Sequence, residues 1–340
     1  MTDVFLTGGS GFVGGALLRT LTDQGRDVRA LVRTDRAAAI VADLGAQPIR
    51  GDLDDRGALI AGMRGCAVVF NAAGVNAMCL RDPEPMVRTN VEGAATVVRA
   101  AAAAGVPRVV HTSSAATIGE AAGTVGREDS PHRGSFLSAY ERSKFLAERE
   151  VFSRGRTLGV HVVCVNPSSV QGPGRTSGTA KLLLASVNGR LPFLVDSTLS
   201  VVDVQDCTRA HLLAEERGAP GARYLVNTAS LTTREAVTLL RQVWGRPRRV
   251  AFVPRVVARA SGAMAGTAGR VRRTDRSLCP EMVRTLLHGH RYDGSTAARE
   301  LGLRYTPLEE SIRRTLAWYA ARGMVAGPLL DGAPPIETDA

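Results

Sequence analysis

Short apolar runs alternate with helical patterns through the first half of the chain, and this alternation leaves few folds open. The runs Asp3–Thr7, Val28–Val32, Pro48–Arg50, Ala67–Asn71, Arg108–Thr112 and His161–Val165 are short and nearly all apolar. A strand with one wet face alternates apolar and polar residues, so unbroken runs predict strands covered on both faces by helices. Repeated strand–helix–strand units of that kind build a parallel sheet. The predicted class is α/β, a Rossmann-type doubly wound parallel sheet.

Between Asn166 and Val202 the alternation lapses into a segment rich in Gly, Pro and Ser. It returns as a helix over Asp206–Glu216 and a strand over Arg223–Thr228, and from Leu231 the pattern is mainly helical: Thr233–Trp244, the region Pro254–Gly269, and Leu308–Arg322. The chain therefore divides into a dinucleotide-binding part, residues 1–167 and 203–229, and a smaller, mainly helical substrate-binding cap, residues 168–202 and 230–326. Residues 327–340, with Pro328, Pro334, Pro335 and no periodicity, read as a loose tail.

A chain of 340 residues with 44% hydrophobic content can bury a large core. The run Val97–Val106 is alanine-rich and broken by Arg99, too short and polar to cross a bilayer, so no integral membrane span is expected. Thr2 to Leu6 read as entering a strand directly, so no export leader is expected, and the five cysteines are odd in number and form no C-x-x-C pair. Reduced thiols in a cytoplasm are the expectation. The formal charge of +11 rests on scattered arginines; only Arg246 to Arg249 and Arg270 to Arg276 are dense, without the aromatics that stack on bases. No nucleic-acid partner is expected, and part of the basic surface suits a phosphorylated cofactor.

Residues Thr7-Gly8-Gly9-Ser10-Gly11-Phe12-Val13-Gly14 fall between the first strand and a helix with Leu17, Leu18 and Leu21 on one face. There Gly8 allows the tight turn, Gly11 lets a pyrophosphate approach the backbone, and Gly14 lets helix and strand pack closely. The helix N-terminus, from Ser10 through Phe12 and Val13, then faces the phosphates. An NAD enzyme usually ends its second strand with an acid for the adenosine ribose; here Arg33 stands there and Arg36 follows. A guanidinium pairs well with a 2′-phosphate, so NADP(H) is preferred, while Asp35 nearby leaves NAD(H) open. Gly51-Asp52-Leu53 closes the third strand, where Asp52 either accepts from the adenine amino group or caps the next helix. Ala72, Ala73 and Gly74 after Asn71 either let the cofactor lie against the backbone or form a plain turn.

The segment Ser138-Ala139-Tyr140-Glu141-Arg142-Ser143-Lys144 reads as a helix start, and positions i and i+4 share a face. Tyr140 and Lys144 thus project together, and an ammonium beside a phenol is expected to lower a pKa of about 10. Such a tyrosine exchanges a proton with a carbonyl or alcohol oxygen. His111-Thr112-Ser113-Ser114 ends the fifth strand, at the edge where open α/β sheets bind ligands, and a hydroxyl there can hold that oxygen. His111, His161, His211, His288 and His290 lack metal-site spacing; His288-x-His290 reads as a solvated loop, and hydride transfer calls for no metal.

In the order Thr7-Gly8-x-x-Gly11-x-x-Gly14, Gly51-Asp52-Leu53, Asn71-Ala72-Ala73-Gly74, Thr89-Asn90-Val91-Glu92-Gly93, Thr112-Ser113-Ser114, Tyr140-x-x-Ser143-Lys144 and Asn166-Pro167, the chain resembles the extended short-chain dehydrogenase/reductases, the NAD-dependent epimerase/dehydratase family. Val32-Arg33, Val109 to Ser114, Val201 to Asp206 and Ala297 to Gly302 look like its dihydroflavonol reductase branch, beside the 3β-hydroxysteroid dehydrogenases and hopanoid-associated sugar epimerases. The resemblance implies Ser114 rather than Ser113 as the catalytic hydroxyl, Lys144 also on the nicotinamide ribose, and Pro167 to Val170, Ser169 included, near the nicotinamide. It gives Asn90 a role either in supporting the active-site helix or a water relay, or in structure alone, makes Asp203 fold-organising, and pairs helices Val91–Ala104 and Tyr140–Arg154 into a homodimer. Ile118-Gly119 replaces the Tyr-Gly common in the family's sugar-nucleotide enzymes. Substrate contacts are expected from Thr117 to Gly126, from Gln171 to Leu194 with Lys181, Arg190 and Phe193, and around Met264, none with a paired-arginine clamp for a diphosphate. The expected partner is a mainly apolar carbonyl compound or alcohol; a nucleotide-sugar epimerase or dehydratase with retained cofactor and a non-catalytic dinucleotide sensor are the alternatives.

Overall fold

The computed structural model, which describes residues 3–244, 250–254, 258 and 279–325, is built on seven parallel strands. These are β1 Val4–Thr7, β2 Val28–Val32, β3 Gln47–Arg50, β4 Val68–Asn71, β5 Arg108–Thr112, β6 His161–Pro167 and β7 Arg223–Val226. Their order across the sheet is β7-β6-β5-β4-β1-β2-β3. The order reverses between β1 and β4, and in an open α/β sheet a ligand crevice forms outside the carboxyl ends at that point.

The two faces account for the unbroken apolar runs. Val4 and Leu6 enter one cluster with Leu17, Leu18 and Leu21 of the first helix and Ala210 and Ala214 of helix Val204–Arg217. Phe5, between them in sequence, joins the opposite cluster with Leu59, Val97, Val98, Ala147 and Val151. A pleated strand sends successive side chains to opposite faces, so both sets must be apolar.

The cap holds helices Ala180–Val187, Thr233–Trp244, Pro280–His288 and Leu308–Ala321. Val187, Leu240, Val243, Trp244, Leu316 and Tyr319 form its own apolar cluster. It also carries two small sheets that a mainly helical pattern did not foretell. One joins Ala229–Thr232, Thr198–Asp203 and Ser169–Gln171, and the other pairs Phe193–Val195 with Ala251–Val253. Ala297, Leu301 and Leu303, counted with the cap from sequence, pack in the cluster of the central sheet instead. Arg246 to Arg249, Arg270 to Arg276, the surroundings of Met264 and the 327–340 tail lie outside the described residues. Among the described residues no helix is long and apolar enough to cross a membrane.

The expectation of five reduced thiols is corrected. Cys79 and Cys279 form a disulfide with their Cα atoms 5.7 Å apart, while Cys66, Cys164 and Cys207 are free and buried. The partners are 200 residues apart in sequence, so no spacing rule brings them together; the fold does.

Candidate active site

At the carboxyl end of β1 the backbone turns at Gly8 with φ 79°, and a Cβ there would lie 2.7 Å from the Ala72 carbonyl carbon and the Ala73 nitrogen. The turn therefore packs directly on Ala72-Ala73. A Cβ on Gly14 would lie 2.1 Å from the Gly8 carbonyl oxygen, so only glycine lets helix Phe12–Asp23 start this close to the strand. Gly11 N donates to Gly8 O at 2.9 Å, and no side chain caps the helix. Its first N–H groups, with Ser10 and Gly11 exposed and Phe12 and Val13 half-buried, form a cradle for an anion. The residues present thus fit the pyrophosphate of a dinucleotide.

At the far end of this cradle Arg33 is exposed, with its guanidinium 3.6 Å from the Asp52 carboxylate. Asp52 accepts from Leu53 N at 2.7 Å. It does not cap the following helix; Asp55 does, accepting from Ala58 N at 3.0 Å. Arg36 is exposed beside Thr34, the cap of helix Asp35–Asp43, and Asp35 pairs with Arg50.

The active-site helix, Ala139–Leu158, starts where it does because the Ser138 hydroxyl accepts from Glu141 N at 3.1 Å. Tyr140, Lys144 and Glu148 follow at intervals of four and share a face. Lys144 Nζ donates to the Thr112 carbonyl at the end of β5, at 2.8 Å. Burial pulls the Lys144 pKa down to about 8, against the opposing pull of Cys164 and Glu148. Burial pushes the Tyr140 phenol up, opposed by a hydrogen bond with the Ser114 hydroxyl and by the Arg175 charge. The expected lowering by Lys144 is not found: its ammonium is held by Thr112, and the cation acting on the phenol is Arg175.

The two adjacent serines separate. Ser114 opens the short turn Ala115–Ile118 and meets Tyr140, whereas the Ser113 hydroxyl donates to the buried Glu148 carboxylate. Asn90 accepts from Val75 N at 2.7 Å and donates to Val75 O at 3.0 Å and to Ser143 Oγ at 2.9 Å. It ties the turn after β4 to the active-site helix, and a Cβ on Gly74 would lie 3.3 Å from Asn90 Oδ1 and 3.9 Å from Lys144 Nζ. Thr7, Asn71 and His111 form a buried chain across β1, β4 and β5: Thr7 Oγ1 donates to Asn71 Oδ1 at 2.7 Å, and Asn71 Nδ2 lies 3.0 Å from His111 Nδ1. Burial, with the nearby Lys144 and His211, holds the His111 pKa well below its ordinary value.

Two residues escaped the sequence reading. Glu148 also accepts from Thr117 and Asn166 and pairs with Arg223 at 3.0 Å, locking the turn after Ser114 to β6 and β7; its sign was the 140, 144, 148 interval. Arg175 falls within the segment expected to meet substrate, but Lys181 and Arg190, which stood out there, are exposed. Its guanidinium lies over the Phe12 ring at 5.5 Å and donates to the Val170 carbonyl, joining the glycine loop to the chain after β6. Beside it Pro167 and Val170 are buried and Ser169 Oγ lies 2.8 Å from Thr179 Oγ1. Asp203 accepts from Gln205 N and Arg314, both at 2.7 Å, and organises the fold. His288 and His290 do not sit in a solvated loop; both close on Glu120.

The sheet edge sets an anion cradle next to a phenol and a hydroxyl, an arrangement compatible with dinucleotide-dependent redox chemistry, and the family and relatives below make the chain an NAD(P)-dependent oxidoreductase. The chain belongs to the NAD dependent epimerase/dehydratase family, whose model matches residues 4–226. It is 31% identical over 334 residues to a putative dihydroflavonol 4-reductase of Synechocystis sp., covering 94% of this chain and 95% of that one. It is 36% identical over 264 residues to the 4-hydroxy-2-methyl-3-oxo-4-farnesyl-3,4-dihydroquinoline-1-oxide ketoreductase of Stigmatella aurantiaca, covering 76% and 78%. The crystal structure of gox2253 superposes with a TM-score of 0.85 at 27% identity, over 96% of this chain and 100% of that one.

Proposed function

We propose that the enzyme is an NADP-dependent reductase of a ketone or aldehyde on a mainly apolar small molecule, and in reverse an oxidant of the matching alcohol. The observation that carries this reading is Tyr140 with the Ser114 hydroxyl on one side and Lys144 one turn along, beside the glycine cradle. A nicotinamide dinucleotide held by the glycine cradle and Lys144 would supply hydride chemistry at the carbonyl carbon. Tyr140 gives its phenolic proton to the carbonyl oxygen while Ser114 donates a hydrogen bond to the same oxygen. Burial keeps the phenol protonated at neutral pH, the form a proton donor needs. Arg175 offsets the negative charge left on Tyr140, and Lys144, fixed by Thr112, binds the nicotinamide ribose and adds a second positive charge.

Arg33 at the adenosine end supports NADP over NAD. The carbonyl-reductase reading is supported by the names of the two relatives, a putative dihydroflavonol 4-reductase and a ketoreductase of a farnesyl-bearing dihydroquinoline-1-oxide. A homodimer through helices Ala94–Ala104 and Ala139–Leu158 and a cytoplasmic location complete the reading.

Tyr140→Phe tests it. Turnover of NADPH with a panel of ring ketones should fall by at least about 100-fold, while NADPH affinity, read by fluorescence titration, stays within about threefold. Retained turnover would remove Tyr140 from its role. A wild-type enzyme that holds its cofactor through purification and interconverts nucleotide sugars without net NADPH consumption would instead be an epimerase or dehydratase.

A further inference from the structure

We propose that Glu120, His288 and His290 form a binding site for one divalent transition-metal ion, zinc by preference, which joins the cap to the loop behind the catalytic serine. Glu120 Oε1 lies 2.6 Å from His290 Nδ1 and 3.3 Å from His288 Nε2. One donor atom from each residue falls within 4.8 Å of the others. Donors on a tetrahedral zinc ion, with bonds of about 2.0–2.1 Å, stand about 3.3 Å apart, so the ion enters with a small outward shift of His290. The Tyr292 hydroxyl, 2.9 Å from His290 Nδ1, borders the fourth position.

The backbone explains how residues 170 apart in sequence converge. His288 ends helix Pro280–His288, and Gly289 at φ 71° reverses the chain so that His290 returns beside it. Gly126 N donates to Arg291 O at 2.9 Å and Asp293 N to Gly126 O at 3.0 Å, pinning this return against the loop that carries Glu120. None of the three side chains hydrogen-bonds Tyr140, Ser114 or Lys144 among the described residues, so the cluster is separate from the reacting groups.

Charge makes the site a cation site. The Glu120 side chain is 1% exposed, and a carboxylate so deep needs a compensating charge. The Arg133 guanidinium beside it is paired with Glu141, contacts the Glu120 backbone carbonyl at 3.3 Å and attracts the Glu120 carboxylate through space without a hydrogen bond to it. Glu120 Oε2 is buried with no hydrogen-bond partner among the described residues. Two imidazoles and a carboxylate are the borderline donors that suit zinc, and a ring proton facing Glu120 leaves to solvent as the ion binds.

The full-length enzyme, stripped with a chelator and dialysed against Zn2+, should bind one ion per chain by elemental analysis. His288→Gln/His290→Gln should weaken binding by at least about 100-fold in chelator competition. Co2+ should give weak visible d–d absorption without the strong ultraviolet band of a thiolate ligand, and Zn2+ should raise the wild-type Tm but not that of the double variant. Zn2+ bound equally by the double variant, a thiolate band that places the ion on a cysteine, or no stoichiometric binding by the wild type would overturn the proposal. The last outcome would mean that Glu120 and the imidazoles share only a proton. Should the double variant fail to fold, the wild-type stoichiometry and Co2+ spectrum decide the matter alone.

Discussion

The sheet half and the cap are held together by different means. In the sheet half neighbours touch at backbone distance: Gly8 lies on Ala72-Ala73, Gly14 lies against the Gly8 carbonyl, and Glu148 gathers Ser113, Thr117 and Asn166. The cap shares part of the sheet's apolar core through Val170, Val202, Ala297, Leu301 and Leu303, and where it meets the active-site side it is joined by discrete tethers. The Cys79–Cys279 disulfide is one; next to it Glu281 accepts from Cys79 N at 3.1 Å and from Ala139 N at 2.9 Å. The first turn of a cap helix thereby grips both the turn after β4 and the start of the active-site helix. The glycine loop is thus set by backbone contact, whereas the edge of the cap facing the active-site helix is set by individual bonds.

The largest expected effect comes from breaking the close approach. Gly14→Val puts a branched side chain where even a Cβ would sit 2.1 Å from the Gly8 oxygen. The helix must retreat from the strand, at a cost of more than about 3 kcal/mol, and NADPH binding should be lost in fluorescence titration. Wild-type affinity in this variant would show that the loop can reshape itself, and the contrast with the cap would disappear.

Breaking the disulfide comes next. Cys79→Ser should destabilise the cap by about 2–4 kcal/mol. Both tryptophans, Trp244 and Trp318, lie in cap helices, so their fluorescence during urea unfolding reads the cap directly. Its midpoint should fall while NADPH affinity barely moves. Equal losses in both readouts would mean that the halves unfold as one unit.

The contrast also explains what the sequence disclosed. The central strands were visible because most are apolar runs with helices on both faces, although the exposed edge strand Gln47–Arg50 is not, and the glycine loop because its spacing reports a local approach. Tyr140 and Lys144 came from helix periodicity and the hydroxyl segment from a strand end, while the choice of Ser114 over Ser113 came from the family resemblance. The disulfide, Glu281 and the meeting of Glu120 with His288 and His290 are long-range pairs that leave no periodic trace. Arg175 was hidden for another reason: among many exposed arginines, only its packing on Phe12 and Val170 singles it out.

A smaller effect separates catalysis from stability. Among 43 Lys and Arg residues only Lys144 and Lys181 are lysines, and a lysine, unlike an arginine, can lose its proton in reach of ordinary pH. With its folded pKa pulled from 10.5 to about 8, Lys144 is charged below that pH and neutral above it. The unfolded chain then holds the extra proton between about 8 and 10.5, so Lys144 makes stability rise with pH across that window. Turnover should fall across the same window as the ammonium disappears. Lys144→Met should remove the stability slope, seen in Tm against pH, and greatly lower turnover at pH 7. A wild-type rate flat from pH 7 to 10 would contradict the role of the charged form.

The smallest effect tests the adenosine end. Arg33 and Asp52 stand on adjacent strand ends, both well exposed, at 3.6 Å, and an ion pair of that kind contributes at most about 1 kcal/mol. A 2′-phosphate can therefore take the guanidinium from Asp52 with a net gain, because a charge-assisted contact to phosphate is roughly twice as strong as a neutral hydrogen bond. NADH offers only a ribose hydroxyl there and gains nothing from Arg33. Arg33→Ser should weaken NADPH by about tenfold, equivalent to about 1.4 kcal/mol, and leave NADH nearly unchanged. If both cofactors weaken alike, Arg33 acts on the shared adenosine rather than on the phosphate, and the proposed preference for NADP loses its support at this residue.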